Sequence, residues 1–228
     1  MKVAVLFSGG KDSVMAVHYA MQQGMEIEAL IAVKPKNTEA YLWHYSTVEW
    51  TLLQAQAMNL PLILLKNDEI GPEKEAKVLE QVFSRLKIKA LLLGGVGLQK
   101  TQIESVKKVA EKYKIKVLVP YETYSSEELL REEIKAGFDI RITNVAVDGL
   151  GPDWLGRKLD GRSALEMKML AEKHGFNILG EGGHYDSFVV DGTIFKQKIE
   201  FLDTKKVWDS KTSSGYLEVL NAELVGKD

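Results

Sequence analysis

A short apolar run ends in Ser8-Gly9-Gly10-Lys11-Asp12-Ser13, and a helix-like pattern follows at once. Strand, glycine turn and helix start, in that order, build the geometry that binds phosphate. Two adjacent glycines let the backbone approach an anion with no Cβ in the way. The unpaired N–H groups of a first helical turn, with the positive end of the helix dipole, face the same point. Ser8 and Ser13 add hydroxyl donors, Lys11 a compact positive charge, and Asp12 a carboxylate suited to Mg²⁺. The plainer alternative is a serine-capped glycine turn opening an ordinary helix.

Beyond the turn, strand-like and helix-like segments alternate. Apolar runs lie near 2–7, 27–33, 61–65, 90–94 and 116–119, with helical patterns near 12–23, 47–58, 72–87 and 99–113 between them. Such alternation predicts an α/β fold with a parallel, doubly wound sheet and right-handed crossovers. Ligands on such sheets bind outside the strand C-termini. The first turn lies there, and Gly94-Gly95 would end the fourth strand at the same edge, so both are expected on one nucleotide. Pro120 and the polar stretch after it mark a change of pattern, with a helix opening at Ser126. FDIRITNVAV then reads as a strand, GLGPDWLGRKLDG as a long loop, and Arg162 to His174 as a helix. A glycine-rich loop follows, leading into hairpin-like strands around Asp191-Gly192. This divides the chain into residues 1–123, a nucleotide-binding domain, and 124–228, a smaller mixed α+β domain.

Composition narrows the chemistry. With 45% hydrophobic and 27% charged residues, the 228-residue chain is of ordinary globular type. A net charge of −2 gives no broad basic face for nucleic acid. No apolar run approaches the roughly 20 residues that span a bilayer, and Met1 leads straight into the first strand. The expectation is a cytoplasmic protein with neither membrane nor nucleic-acid partner. Cysteine is absent, which excludes disulfides, thiolate metal sites and thiol catalysis, including a cysteine-dependent glutaminase.

The turn is neither a Walker A loop nor a G-x-G-x-x-G fingerprint. It resembles the PP-loop, S-G-G-x-D-S, of the N-type ATP pyrophosphatases, which implies an adenine nucleotide alpha hydrolase-like fold that cleaves ATP between the α and β phosphates. Together with LGR at Leu155-Gly156-Arg157 and EGG at Glu181-Gly182-Gly183, it looks like the diphthine–ammonia ligase family over nearly the whole length. The resemblance implies amidation of diphthine, a modified histidine on elongation factor two, with ATP and ammonium. A second branch of the family implies amide chemistry on a small carboxylic acid, a cobamide precursor. Where the family has E-G-G-E-Y-E-T, this chain reads Glu181-Gly182-Gly183-His184-Tyr185-Asp186-Ser187. In GGVGLQKTQIE, Gln99, Lys100 and Glu104 match the family's Gln, first Arg and Glu, while Gln102 stands for its second Arg and Gly95 for its Asp.

On this reading Ser8, Gly9, Gly10, Lys11, Asp12, Ser13, Gly94, Gly95 and Lys100 meet ATP, and Asp12 holds Mg²⁺. Glu104, Arg157, Glu181, Gly182, Gly183 and Tyr185 meet the acceptor. Lys11, Asp12, Glu181 and His184 are the expected catalytic groups. Ammonium must lose a proton before it attacks, so a carboxylate or imidazole base is required. Each assignment has a bland counterpart: Lys11 as a solvated helix-start lysine, Lys100 and Glu104 as a surface i,i+4 pair, and Glu181 to His184 as a turn entering a hairpin. Arg157 is either a bidentate carboxylate ligand or a solvated side chain on a buried turn. The aromatic run Tyr41 to Tyr45, with His44, either stacks on adenine or packs beneath its loop. His18 and His174 read as ordinary helix residues. A non-catalytic ATP-binding module and a homo-oligomer remain open alternatives.

Overall fold

The computed structural model describes residues 1–36, 47–96 and 100–227, the side chains of Lys100 and Gln102 excepted. The aromatic run with His44, and Gln99, lie outside the described residues. The first half builds β1 (Lys2–Leu6), α1 (Lys11–Gln22), β2 (Glu26–Pro35), α2 (Thr51–Met58) and β3 (Leu62–Asn67). It continues through α3 (Pro72–Ala76), α4 (Glu80–Phe83), β4 (Ala90–Leu92), α5 (Lys100–Lys112) and β5 (Lys116–Leu118). The strands form one sheet in the order β3-β2-β1-β4-β5, every neighbouring pair parallel. Side chains alternate across a strand, and here both faces are covered. Val3, Val5, Leu30 and Leu92 enter one core; Ala4, Ile31, Val33 and Leu91 enter a second. Near-continuous apolar runs are the sequence mark of such doubly covered strands. The order reverses between β1 and β4, so the loop after β1 and Gly94-Gly95 after β4 flank the crevice where ligands of this fold bind.

The second half builds α6 (Ser126–Lys135), β6 (Asp139–Ala146), β7 (Lys158–Leu159) and α7 (Gly161–His174). Three further strands follow: β8 (Tyr185–Asp191), β9 (Lys198–Asp209) and β10 (Ser214–Val225). Both helices start on capping boxes, at Ser125 with Glu128 and at Asp160 with Ser163. The strands form a separate antiparallel sheet, β7-β6-β10-β9, with β8 also paired to β6. The expected hairpin at Asp191-Gly192 does not form. Asp191 pairs with Asp139 of β6, and the chain crosses to start β9 elsewhere. The true hairpin is β9–β10, closed by residues 210–213. Its turn contains no glycine: Ser213 takes positive φ, and the Lys211 N–H donates to the Asp209 carboxylate at 2.8 Å.

The two halves share a core. The cluster containing Val3, Val14 and Val17 also contains Leu129, Ile140, Trp154 and Phe188. α1 lies against β8 and α6, and α2 against β9 and β10. Backbone bonds cross as well, from Val189 N–H to the Gly9 carbonyl (3.1 Å) and from Lys196 N–H to the Ala57 carbonyl (2.6 Å).

Candidate active site

Gly10 is the N-cap of α1 and offers no side chain to satisfy the first-turn N–H groups. Gly9 sits at φ +83°, and a Cβ there would lie 2.4 Å from Gln54 Oε1. The loop amides turn to hydroxyl oxygens instead. Ser13 Oγ accepts from Ser8 N (3.3 Å) and Gly9 N (3.1 Å), and Ser8 Oγ accepts from Gly10 N (3.4 Å). Lys11 N–H donates across the interface to Ser187 Oγ of β8 at 3.2 Å. Most of these bonds are at or beyond the long end of the N–H···O range.

Lys11 is 1% exposed. Its ammonium lies 2.7 Å from Asp12 Oδ2 and 3.9 Å from Glu133 Oε2 of α6, 5.7 Å from the Tyr185 ring centre. Burial opposes its charge, but Asp12, Glu133 and Tyr185 more than offset that and its pKa rises. Glu133 is fully buried, its carboxyl packed beside Asp12 and the Lys11 ammonium. Burial pushes it well above the usual carboxylate range; Lys11 pulls it down and Asp12 pushes it further up. Asp12 is the nearer carboxylate to the ammonium, at 2.7 Å against 3.9 Å for Glu133. Gly94 closes the site from β4: a Cβ there would lie 2.2 Å from the Asp12 carbonyl oxygen. Gly95 lies over the Asp12 side chain, 3.7 Å from Oδ1 to where its Cβ would stand.

The glycine-rich loop of the second half arrives at the same place. Glu181 is half-buried; its Oε1 accepts no hydrogen bond, and Oε2 accepts from Asn177 Nδ2 at 3.4 Å. Burial raises its pKa, Asp12 adds to the rise and Lys11 opposes it. Gly182 and Gly183 are exposed, both at positive φ. His184 Nδ1 accepts from the Asn177 N–H at 3.2 Å, and its ring meets Phe176 edge-on. Tyr185 is buried beneath Lys11 and donates its hydroxyl to the Ile178 carbonyl at 2.8 Å, which makes it a wall of the lysine site.

Two expected site residues stand apart. Arg157 holds Glu166 with both terminal nitrogens and stacks on Trp154, 4.2 Å from the ring centre. It lines a separate cavity of about 430 Å³ with Arg141, Phe201, Lys206 and Leu217. Glu104 is exposed on α5, where it faces Lys108; the side chain of Lys100 lies outside the described residues. Three groups were missed from sequence: Glu133, Ser187 as a loop partner, and Gln54, whose amide reaches both Gly9 and β8. Glu133 occupies the stripe begun by Leu129 and Leu130 of α6, where an apolar residue is the expectation. Gln54 stands among the small apolar residues of α2. Polar residues at such positions were the available signal.

The sequence matches the model of the diphthamide synthase N-terminal domain over residues 1–117 and that of the diphthamide synthase C-terminal domain over 125–225. It is 31% identical to a protein of Bos taurus named diphthine–ammonia ligase, covering 100% of this chain and 94% of that one. The Homo sapiens protein of the same name is 30% identical over the same shares. A solved structure, described as a predicted subunit of tRNA methyltransferase from Methanocaldococcus jannaschii, superposes with a TM-score of 0.49 and 17% identity, over 85% of this chain and 98% of that one.

Proposed function

Because the chain belongs to the diphthamide synthase family, a family of carbon–nitrogen ligases, we propose that it activates an acceptor carboxylate with ATP and joins ammonia to it, releasing AMP and pyrophosphate. The leading acceptor is diphthine on elongation factor two, and the setting is cytoplasmic. Among the described residues no helix is long and apolar enough to cross a membrane. The observation that carries the reading is the buried Lys11 ammonium under the N-terminus of α1, approached by Glu181 from the other half of the chain.

A carboxylate does not form an amide at neutral pH without activation. In this reading the loop amides of Ser8 to Lys11 leave their hydroxyl partners for the β and γ phosphates. The acceptor carboxylate attacks the α phosphorus, and charge grows on the departing pyrophosphate. Fixed donors aimed at that charge act by preorganisation, and Lys11 is the strongest of them. Asp12 Oδ1 is buried without a hydrogen-bond partner, which fits Mg²⁺ held by one carboxylate oxygen plus phosphate oxygens. Among the described residues no group of three or more His, Asp or Glu side chains could hold a metal by itself. When bound, Mg²⁺ would supply Lewis acidity.

Glu181 is the better base for ammonium. Its raised pKa favours proton uptake, and its unpaired oxygen is free to receive the proton. His184 Nδ1 accepts from the Asn177 N–H, which leaves Nε2 as its remaining ring nitrogen. The base role expected of this loop therefore falls first to Glu181, with His184 beside it. A second reading keeps the chemistry and changes the acceptor to a small carboxylic acid; the observation favouring it is His184 where the family motif has Glu.

The test is purified protein with ATP, Mg²⁺ and ammonium against diphthine-bearing elongation factor and a panel of small acids, read by AMP and pyrophosphate release. Asp12→Ala is expected to lower turnover by about a hundredfold or more. ATP left intact with every acceptor would favour a nucleotide-binding module, and ADP as product would remove the reading altogether.

A further inference from the structure

Gln54 is fully buried, and its amide nitrogen donates to two carbonyls at 2.8 Å each, that of Gly9 in the phosphate loop and that of Val189 in β8. Its oxygen has no hydrogen-bond partner. A buried amide that leaves one end unpaired costs stability, so the arrangement calls for a reason. The Gly9 carbonyl supplies one. It accepts from Gln54 on one element and from the Val189 N–H on another, at 2.8 Å and 3.1 Å. A trans peptide is planar, so its C=O and N–H point in opposite directions. Holding the Gly9 oxygen toward β8 therefore turns the Gly10 N–H the other way, to the side where Ser8 Oγ now meets it at 3.4 Å. A peptide between two glycines has little steric resistance to flipping, and nothing in the glycines themselves sets this direction.

We propose that Gln54 is a positioning residue for the phosphate loop: with the Val189 N–H it locks the Gly9–Gly10 peptide so that the Gly10 N–H faces the anion. The lock draws on both halves of the chain, since Gln54 also grips β8. Nucleotide affinity thus depends on a contact that no phosphate touches. The inference rests on the reading that this loop holds the phosphates of ATP.

Gln54→Met keeps the length and volume of the side chain and removes both donated bonds. In the full chain, with Mg²⁺, calorimetry is expected to show ATP binding weakened about tenfold or more, with the KM for ATP rising in step and kcat changing by less than about threefold. A purely structural role would instead lower the active fraction, so kcat would fall while KM and ATP affinity stayed put; that outcome overturns the proposal. Should the variant fail to fold, hydrogen exchange on the wild-type chain decides. ATP is expected to slow exchange of the Val189 N–H, and no change there overturns the lock. A wild-type chain that binds no ATP removes the functional reading and the lock with it. A wild-type chain that binds ATP no better than Gln54→Met removes the lock alone.

Discussion

Asp12 and Glu133 are two carboxylates beside one ammonium, and Glu133 is the fully buried one. Burial raises the Glu133 pKa well above the ordinary glutamate value of 4.5, near which the unfolded chain titrates. The folded state then binds more protons, so stability falls as pH rises from that value toward the raised folded one. Glu133→Gln removes this slope. Its melting temperature should match wild type near about pH 4 and exceed it increasingly as pH rises from there; a constant difference would show that the folded pKa of Glu133 is not raised. Gly94 makes a steric case. Its missing Cβ would lie 2.2 Å from a backbone oxygen of α1, and backbone yields little. Gly94→Ala should cost about 1–3 kcal/mol in denaturant unfolding and reduce pyrophosphate release, because the strain falls on Asp12 itself. Lys11 and Asp12 were legible because a contiguous motif carries them. Glu133 and Gln54 were not, because only the packing of α6 and α2 on α1 and β8 brings them to the loop.

At the level of elements, α6 carries Glu133 to the lysine and is started by a reciprocal cap. Ser125 Oγ accepts from the Glu128 N–H at 3.3 Å, and the Ser125 N–H donates to the Glu128 carboxylate at 2.8 Å. Ser125→Ala should destabilise the protein by about 1 kcal/mol, seen as a lower melting temperature, with the KM for ATP unchanged because Glu133 lies two turns further on. An altered KM would mean that the helix start steers the site. The parallel strands and the longer helices α1, α2 and α5 were readable from periodicity, whereas the single helical pattern near 72–87 forms two short helices, α3 and α4, joined by a 3₁₀ turn. The β9–β10 hairpin was not readable. Its turn is built from Ser, Lys and Thr, with Ser213 at positive φ, while the Asp191-Gly192 signal belongs to a strand end where Gly192 N–H bonds its neighbour's carboxylate.

For the whole molecule, the shared core makes the two halves interdependent. Residues 1–123 alone would expose the apolar face of α1 together with Phe7, Ala55 and Met58, which pack into the cluster that also holds Leu129, Ile140 and Phe188. That fragment should be compact at best, without fixed near-ultraviolet circular dichroism and quickly cut by protease; a cooperatively melting, ATP-binding fragment would show that the interface is dispensable. The amino-acid order alone determined the parallel sheet, the glycine turn after its first strand and the placing of Lys11 and Asp12 at the start of the next helix, since strand and helix periods and a six-residue motif are local properties. It did not determine which distant groups close that turn. Ser187, Val189, Glu133 and Gln54 reach it only because α1 is held between two sheets, and burial there raises the pKa of Glu133.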